Sequence, residues 1–181
     1  MKGCHRLLWI LTFVRMTKRA WSGGFCMSDT PNTAGANAHF RALESLYAQA
    51  PINRFFDSSL EIPEAGVARI HFTIDERHYH AGGAAHGTSY FKMLDDAAFY
   101  ACNSLVTDRF LLTTAFNLLL TRPLKIGPVI AEGRWISGKR RVFVSDARLI
   151  DADGEEAARG TGTFMRSRIA LAGLPGYRSA T

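Results

Sequence analysis

Two adjacent carboxylates, Asp95 and Asp96, stand in an otherwise apolar stretch, behind the run His78-Tyr79-His80-Ala81-Gly82-Gly83-Ala84-Ala85-His86-Gly87. Read as a helix over residues 87–105, the stretch places Phe91, Leu94, Ala98, Ala101, Cys102 and Leu105 at spacings of three and four. Asp95 falls inside that stripe. Burying a carboxylate there is costly unless it is paired or serves a site, so Asp95 reads as a functional acid. Asp96 follows Lys92 by four residues, ion-pair spacing on a helix surface. It reads as a solvated charge on the polar side, in line with Asn103.

Gly87 stands at the start of the same helix, where backbone N–H groups have no helical partner. Those donors and the helix dipole favour a partial negative charge, and glycine lets a ligand oxygen come close. A carbonyl oxygen under nucleophilic attack gains such charge, so Gly87 is a candidate oxyanion-hole donor. Gly87 and Asp95 are eight residues apart, about 12 Å along one helix. One reacting carbonyl cannot touch both from the same chain. If both act on it, they come from different subunits, which predicts an obligate oligomer.

The elements that must position these residues can be read from periodicity. Residues 39–50 form a short helix with Phe40, Leu43, Leu46 and Tyr47 on one face, stopped by Pro51. Residues 28–37 read as a polar linker before it. Residues 67–75 alternate: Ala68, Ile70, Phe72 and Ile74 point one way, Arg69, His71, Thr73 and Asp75 the other. After the long helix, residues 111–121 are apolar on both faces, as for a central strand covered on both sides. Strands over 129–136, 141–150 and 157–168 follow, with turns at Ser137-Gly138-Lys139 and Asp153-Gly154. One strand, a long helix and an antiparallel meander give an α+β fold, with a curved sheet wrapping the helix.

The chain has 181 residues and a formal net charge of +6. Residues 1–26 hold Lys2, Arg6, Arg15, Lys18 and Arg19 and no acid, so the body carries only +1. That excludes a globally basic nucleic-acid binder. The leader is read as a poor secretory signal, a surface-lying basic segment or an over-long gene start ahead of Met27, the last being favoured. The domain boundaries are 1–36 for leader and linker, 37–170 for the folded domain and 171–181 for a C-terminal tail. Cys4 and Cys26 lie in the leader, leaving Cys102 alone in the body. No disulfide can form within the body, which fits the cytoplasm; no membrane partner is expected of it. His78, His80 and His86 match no compact zinc pattern, and no metal is expected.

The sequence His86-Gly87-Thr88, Asp95 nine residues after the histidine, and Ala98-Phe99-Tyr100-Ala101-Cys102-Asn103-Ser104 resemble the phenylacetate-degradation type of hotdog-fold thioesterase. Arg122-Pro123 with Gly127, the Gly138-Lys139 turn, Asp153-Gly154, and Gly160, Gly162 and Phe164 extend the resemblance over residues 55–168. It implies a hotdog dimer, often paired into a tetramer, that hydrolyses a CoA thioester with no cofactor beyond the CoA of the substrate. It implies that Asp95 is general base or nucleophile, that the Gly87 N–H of another subunit polarises the carbonyl, and that Thr113 helps orient the water. The family has Asn where this chain has His80, and Gly where it has Thr88. His86 completes the motif. Thr88 and Phe91 are candidates for substrate contact, and Lys139 and Arg140 for the CoA phosphates. The alternative is a catalytically silent hotdog protein that binds acyl-CoA or serves in assembly.

Overall fold

The computed structural model describes residues 33–177. The basic leader and the first part of the linker lie outside the described residues. The chain begins with helix α1 (Thr33–Gln49) and a 3-10 turn (Pro51–Phe55), then β1 (Ser59–Glu64) and β2 (Val67–Ile74). A two-residue pair, β3 (Tyr79–His80) and β4 (Ala84–Ala85), leads into helix α2 (Gly87–Asn103). The meander is β5 (Arg109–Leu120), β6 (Gly127–Ser137), β7 (Val142–Ile150) and β8 (Glu156–Ala170). Six strands make one antiparallel sheet in the order β1-β2-β6-β7-β8-β5. The sheet curls around α2, which is the hotdog arrangement.

The alternation read in β2 is realised: Ala68, Ile70, Phe72 and Ile74 are all buried. On α1, Phe40, Leu43, Leu46 and Tyr47 are buried against the core. The helix opens earlier than expected, at Thr33, so residues 33–37 are helical rather than linker. Strand β1 was not legible. Ile62 is its one fully buried residue, and its Pro63 is tolerated because β1 is a sheet edge. Residues 171–177 are not a free tail. Leu171 is fully buried, and the Tyr177 hydroxyl meets His39 Nδ1 at 2.7 Å.

Two features hold α2 in the sheet. Small residues on the inner face let it sit close: a Cβ at Gly133 of β6 would come within 2.1 Å of the Ala97 carbonyl oxygen. At its far end the fully buried Asn103 donates to the carbonyls of Val106 and Arg109 and accepts from the Leu111 N–H at 3.0 Å. Asn103 was expected on a polar side. It is instead the clamp that fixes the end of α2 against the start of β5.

The largest difference concerns β5. Its apolar residues suggested a central strand, but β5 is the other edge of the sheet. Leu112, Leu119 and Leu120 are 47%, 59% and 50% exposed. The pattern of a covered strand is present without the cover. A 12-residue apolar edge with free backbone groups is a template for pairing with another chain.

Candidate active site

Strand β5 runs along α2 in a definite register. At the start of α2, a Cβ placed on Gly87 would lie 3.6 Å from Leu120 Cδ1. One turn on, the rings of Phe91 and Phe116 meet edge to face with centroids 5.5 Å apart. A further turn on, the Thr113 hydroxyl donates to Asp95, 3.0 Å from Oδ1 and 3.3 Å from Oδ2. A bulge at Thr114 makes this register possible. It puts Thr113, Phe116, Leu118 and Leu120 opposite Phe164, Gly162, Gly160 and Ala158, all buried, so these four share the helix-facing side of β5.

Asp95 and Thr113 line a cleft of about 250 Å³, walled by Tyr47 of α1, Ile52 and Asn53 of the 3-10 turn, and Phe110 and Leu112 of β5. Burial pushes the Asp95 carboxyl up to about 6; the Thr113 hydrogen bond opposes this, neighbouring Asp96 adds to it, and Lys92 opposes it. Such an acid changes charge close to neutral pH, which suits proton transfer.

Asp96 is not the solvated charge expected. Its side chain is 18% exposed and ion-paired to Lys92 in the floor of the same cleft. Helix phase on α2 could not reveal this, because the cover comes from α1 and the 3-10 turn. Lys92, Asp96, Tyr47 and Asn53 are the site neighbours that sequence reasoning missed. The Lys92/Asp96 spacing was visible; its burial was not. Phe91, a candidate for substrate contact, does not line this cleft.

Gly87 opens on a second cleft of about 270 Å³, shared with His80, Tyr90, Leu120 and Arg122. Among the described residues no acceptor takes the Gly87 N–H. The side chain of His80 is exposed, and its Nδ1 accepts from the Gly82 N–H at 2.9 Å. That bond places the proton of a neutral ring on Nε2. His80 therefore still offers a donor, as the family Asn would.

His86 caps α2. Its Nδ1 accepts from the Thr88 N–H at 3.2 Å and lies 3.0 Å from the Thr88 hydroxyl. Both residues line a third cleft with Arg54, Phe55 and Arg77, separate from those of Asp95 and Gly87. Phe91 is 44% exposed and packs on Phe116. Lys139 and Arg140 are exposed at the turn between β6 and β7. This turn lies at the Thr113 end of the sheet, where the Arg166 N–H donates to the Arg141 carbonyl. The rings of His80 and His86 stand edge to face with centroids 6.5 Å apart. His78 Nδ1 accepts from the Asp75 N–H, and no cluster of three or more metal-ligating side chains occurs among the described residues. No helix among them is long and apolar enough to cross a membrane.

The thioesterase superfamily description matches residues 82–158, which include Gly87, Asp95 and Thr113. A Saccharolobus solfataricus protein whose name proposes an esterase is 29% identical over 123 residues, spanning 68% of this chain and 82% of its own. The E. coli PaaI protein of the phenylacetic acid degradation operon superposes with a TM-score of 0.69 at 18% identity, over 75% of this chain and 97% of its own. The Haemophilus influenzae thioesterase does so with a TM-score of 0.61 at 15% identity, over 70% and 88%. The fold is thus a hotdog of the kind found in thioesterases. Over residues 82–158 the chain is similar to the thioesterase superfamily.

Proposed function

We propose that the protein hydrolyses an acyl-CoA to free acid and CoA, at sites shared between two copies of the chain. The observation that carries this reading is the division of labour along α2. The acid and its Thr113 partner open on one cleft, and the free Gly87 N–H opens on another.

The edge strand supplies a way to unite them. Thr113 and Leu120 are six ladder positions apart once the bulge at Thr114 is skipped, with Asn117 midway. If β5 pairs antiparallel with its own copy about Asn117, Thr113 of one chain lies opposite Leu120 of the other. Paired strands are about 5 Å apart, so the partner's Gly87, packed on that Leu120, comes within a thioester's length of Asp95. The register that aligns the two half-sites also keeps helix-facing residues on one face. It places the exposed Leu119 and Leu120 against the partner strand, opposite its Ala115 and Thr113.

In the reaction, the thioester carbonyl oxygen accepts from the partner's Gly87 N–H, with His80 Nε2–H beside it. Asp95, ionised and held by Thr113, takes a proton from water as the water oxygen bonds to the carbonyl carbon. The C–S bond then breaks, Asp95 passes that proton to the sulfur, and CoA thiol and the acid are released. If the carboxylate attacks the carbon itself, CoA leaves as thiolate and a mixed anhydride forms, which water then hydrolyses to the acid and ionised Asp95, the proton released going to the thiolate. The cleft of about 250 Å³ suits a compact acyl group.

The test is thiol release from a panel of aliphatic and aryl acyl-CoAs, comparing wild type with Asp95→Asn. Hydrolysis of at least one thioester, lost by about 10³-fold or more in the variant, is expected for removal of the acid from such a site. Undiminished turnover in Asp95→Asn would remove Asp95 from the mechanism. Binding of every acyl-CoA with no thiol release would establish the silent binding protein instead.

A further inference from the structure

The Asp95 cleft holds two charges that the proposed reaction does not use. Lys92 and Asp96 are ion-paired with side chains only 14% and 18% exposed. The Lys92 ammonium also donates to Asn53 Oδ1 at 2.7 Å, and it lies 5.1 Å from the Tyr47 ring centre and 5.6 Å from that of Phe56. Asn53 in turn donates to the Tyr47 carbonyl at 2.6 Å. Withdrawing two ions from water is expensive, and an apolar pair of similar volume often serves stability as well. An apolar pair could not, however, place a cation and an anion beside the proposed catalytic acid.

Taking the thioesterase reading as its ground, we propose that Lys92 and Asp96 are positioning residues, a charge-balanced pair that sets how readily Asp95 gives up its proton. Asp96 adjoins Asp95 in sequence. Lys92 lies three residues before Asp95 and four before Asp96, helix-neighbour spacing to both. The anion opposes ionisation of Asp95 and the cation favours it, so the two act against each other. Among the described residues, these three are the charged side chains lining the cleft. The polar groups facing them are Tyr47 from α1, Asn53 from the 3-10 turn, Tyr100 from α2 and Thr113 from β5. Burial pushes Asp96 towards its protonated form and Lys92 holds it back, so the pair depends on both members.

The balance predicts shifts of opposite sign. In Asp96→Asn the ammonium loses its anion and acts on Asp95 alone, so Asp95 ionises at lower pH. In Lys92→Met two carboxylates share the cleft without a cation, and Asp95 ionises at higher pH. The full chain with ¹³C-labelled aspartate carboxyls is titrated by NMR, using Asp95→Asn to assign the Asp95 signal. The acid limb of kcat/KM is measured beside it. Each single variant is expected to move the Asp95 midpoint by about one pH unit, downward for Asp96→Asn and upward for Lys92→Met. Lys92→Arg and the double variant Lys92→Met/Asp96→Asn should return it towards wild type. Asp96→Asn keeps the volume and a hydrogen-bonding side chain, so this arm stands even if Lys92→Met does not fold. Midpoints unmoved in the single variants, or moved in one direction, overturn the proposal. Opposite shifts in the NMR titration with no thiol release from any acyl-CoA would uphold the pair and sink the thioesterase reading.

Discussion

Replacing Asp95 with Asn should make the protein more stable at neutral pH while removing its proposed activity. Burial moves the Asp95 carboxyl from 3.8 to about 6. A shift of about two units corresponds to about 3 kcal/mol between the two protonation states. The folded pKa of this acid lies above the unfolded one, so the native state binds more protons between those values. Native stability is therefore full below about pH 4 and declines as pH rises through about 6. Asn carries no charge at any pH and still offers an oxygen to the Thr113 hydroxyl. Allowing for the open side of the cleft, the gain at pH 8 should be about 1–3 kcal/mol, with near parity at pH 4. That is several degrees in Tm for a domain of this size. The assay is thermal or urea unfolding of both proteins at matched concentration across this pH range. A stability difference that stays constant from pH 4 to pH 8 would refute the reasoning, because the effect would then not arise from a buried carboxylate.

Other expectations follow from the same geometry. Thr113→Val removes the hydrogen bond that favours ionised Asp95, so the acid limb of kcat/KM should move to higher pH; an unmoved limb would show that Thr113 acts elsewhere. Asn117→Cys should form a disulfide-linked dimer on mild oxidation, seen on a non-reducing gel, because the proposed two-fold puts that residue opposite its own copy. Ala115→Cys alone should not, but should cross-link when mixed with Leu119→Cys. Gly133→Ala forces a methyl into the Ala97 backbone and should destabilise the fold by about 1–3 kcal/mol, read by urea unfolding.

Much of the frame was legible because it rests on local periodicity. The alternation in residues 67–75 reported a buried face correctly. The helical spacing read over residues 87–105 found the buried Leu94, Ala98, Ala101 and Cys102, although the helix ends at Asn103 and Phe91 and Leu105 are exposed. The Asp95/Thr113 contact was reachable only through the resemblance, since nothing local ties a helix residue to a strand residue 18 positions later. What failed depended on which element lies over which. Residues 111–121 read as covered because apolarity records the need for a partner but not where the partner comes from. Asp96 read as solvated because the cover supplied by Tyr47 and Asn53 lies outside its own helix. Asn103 read as polar surface because a buried amide that ends a helix carries the same letter as an exposed one.

The placement of Gly87 and Asp95 on one helix bears on how defects combine. In the proposed pairing each chain lends its acid to one site and its oxyanion donor to the other. A chain crippled at Asp95 and a chain crippled at the Gly87 donor would each be inert when paired with its own kind. Mixed, they would assemble one site with both defects and one with neither. Two inactive preparations would therefore recover up to half the wild-type turnover in every hybrid, a form of genetic complementation.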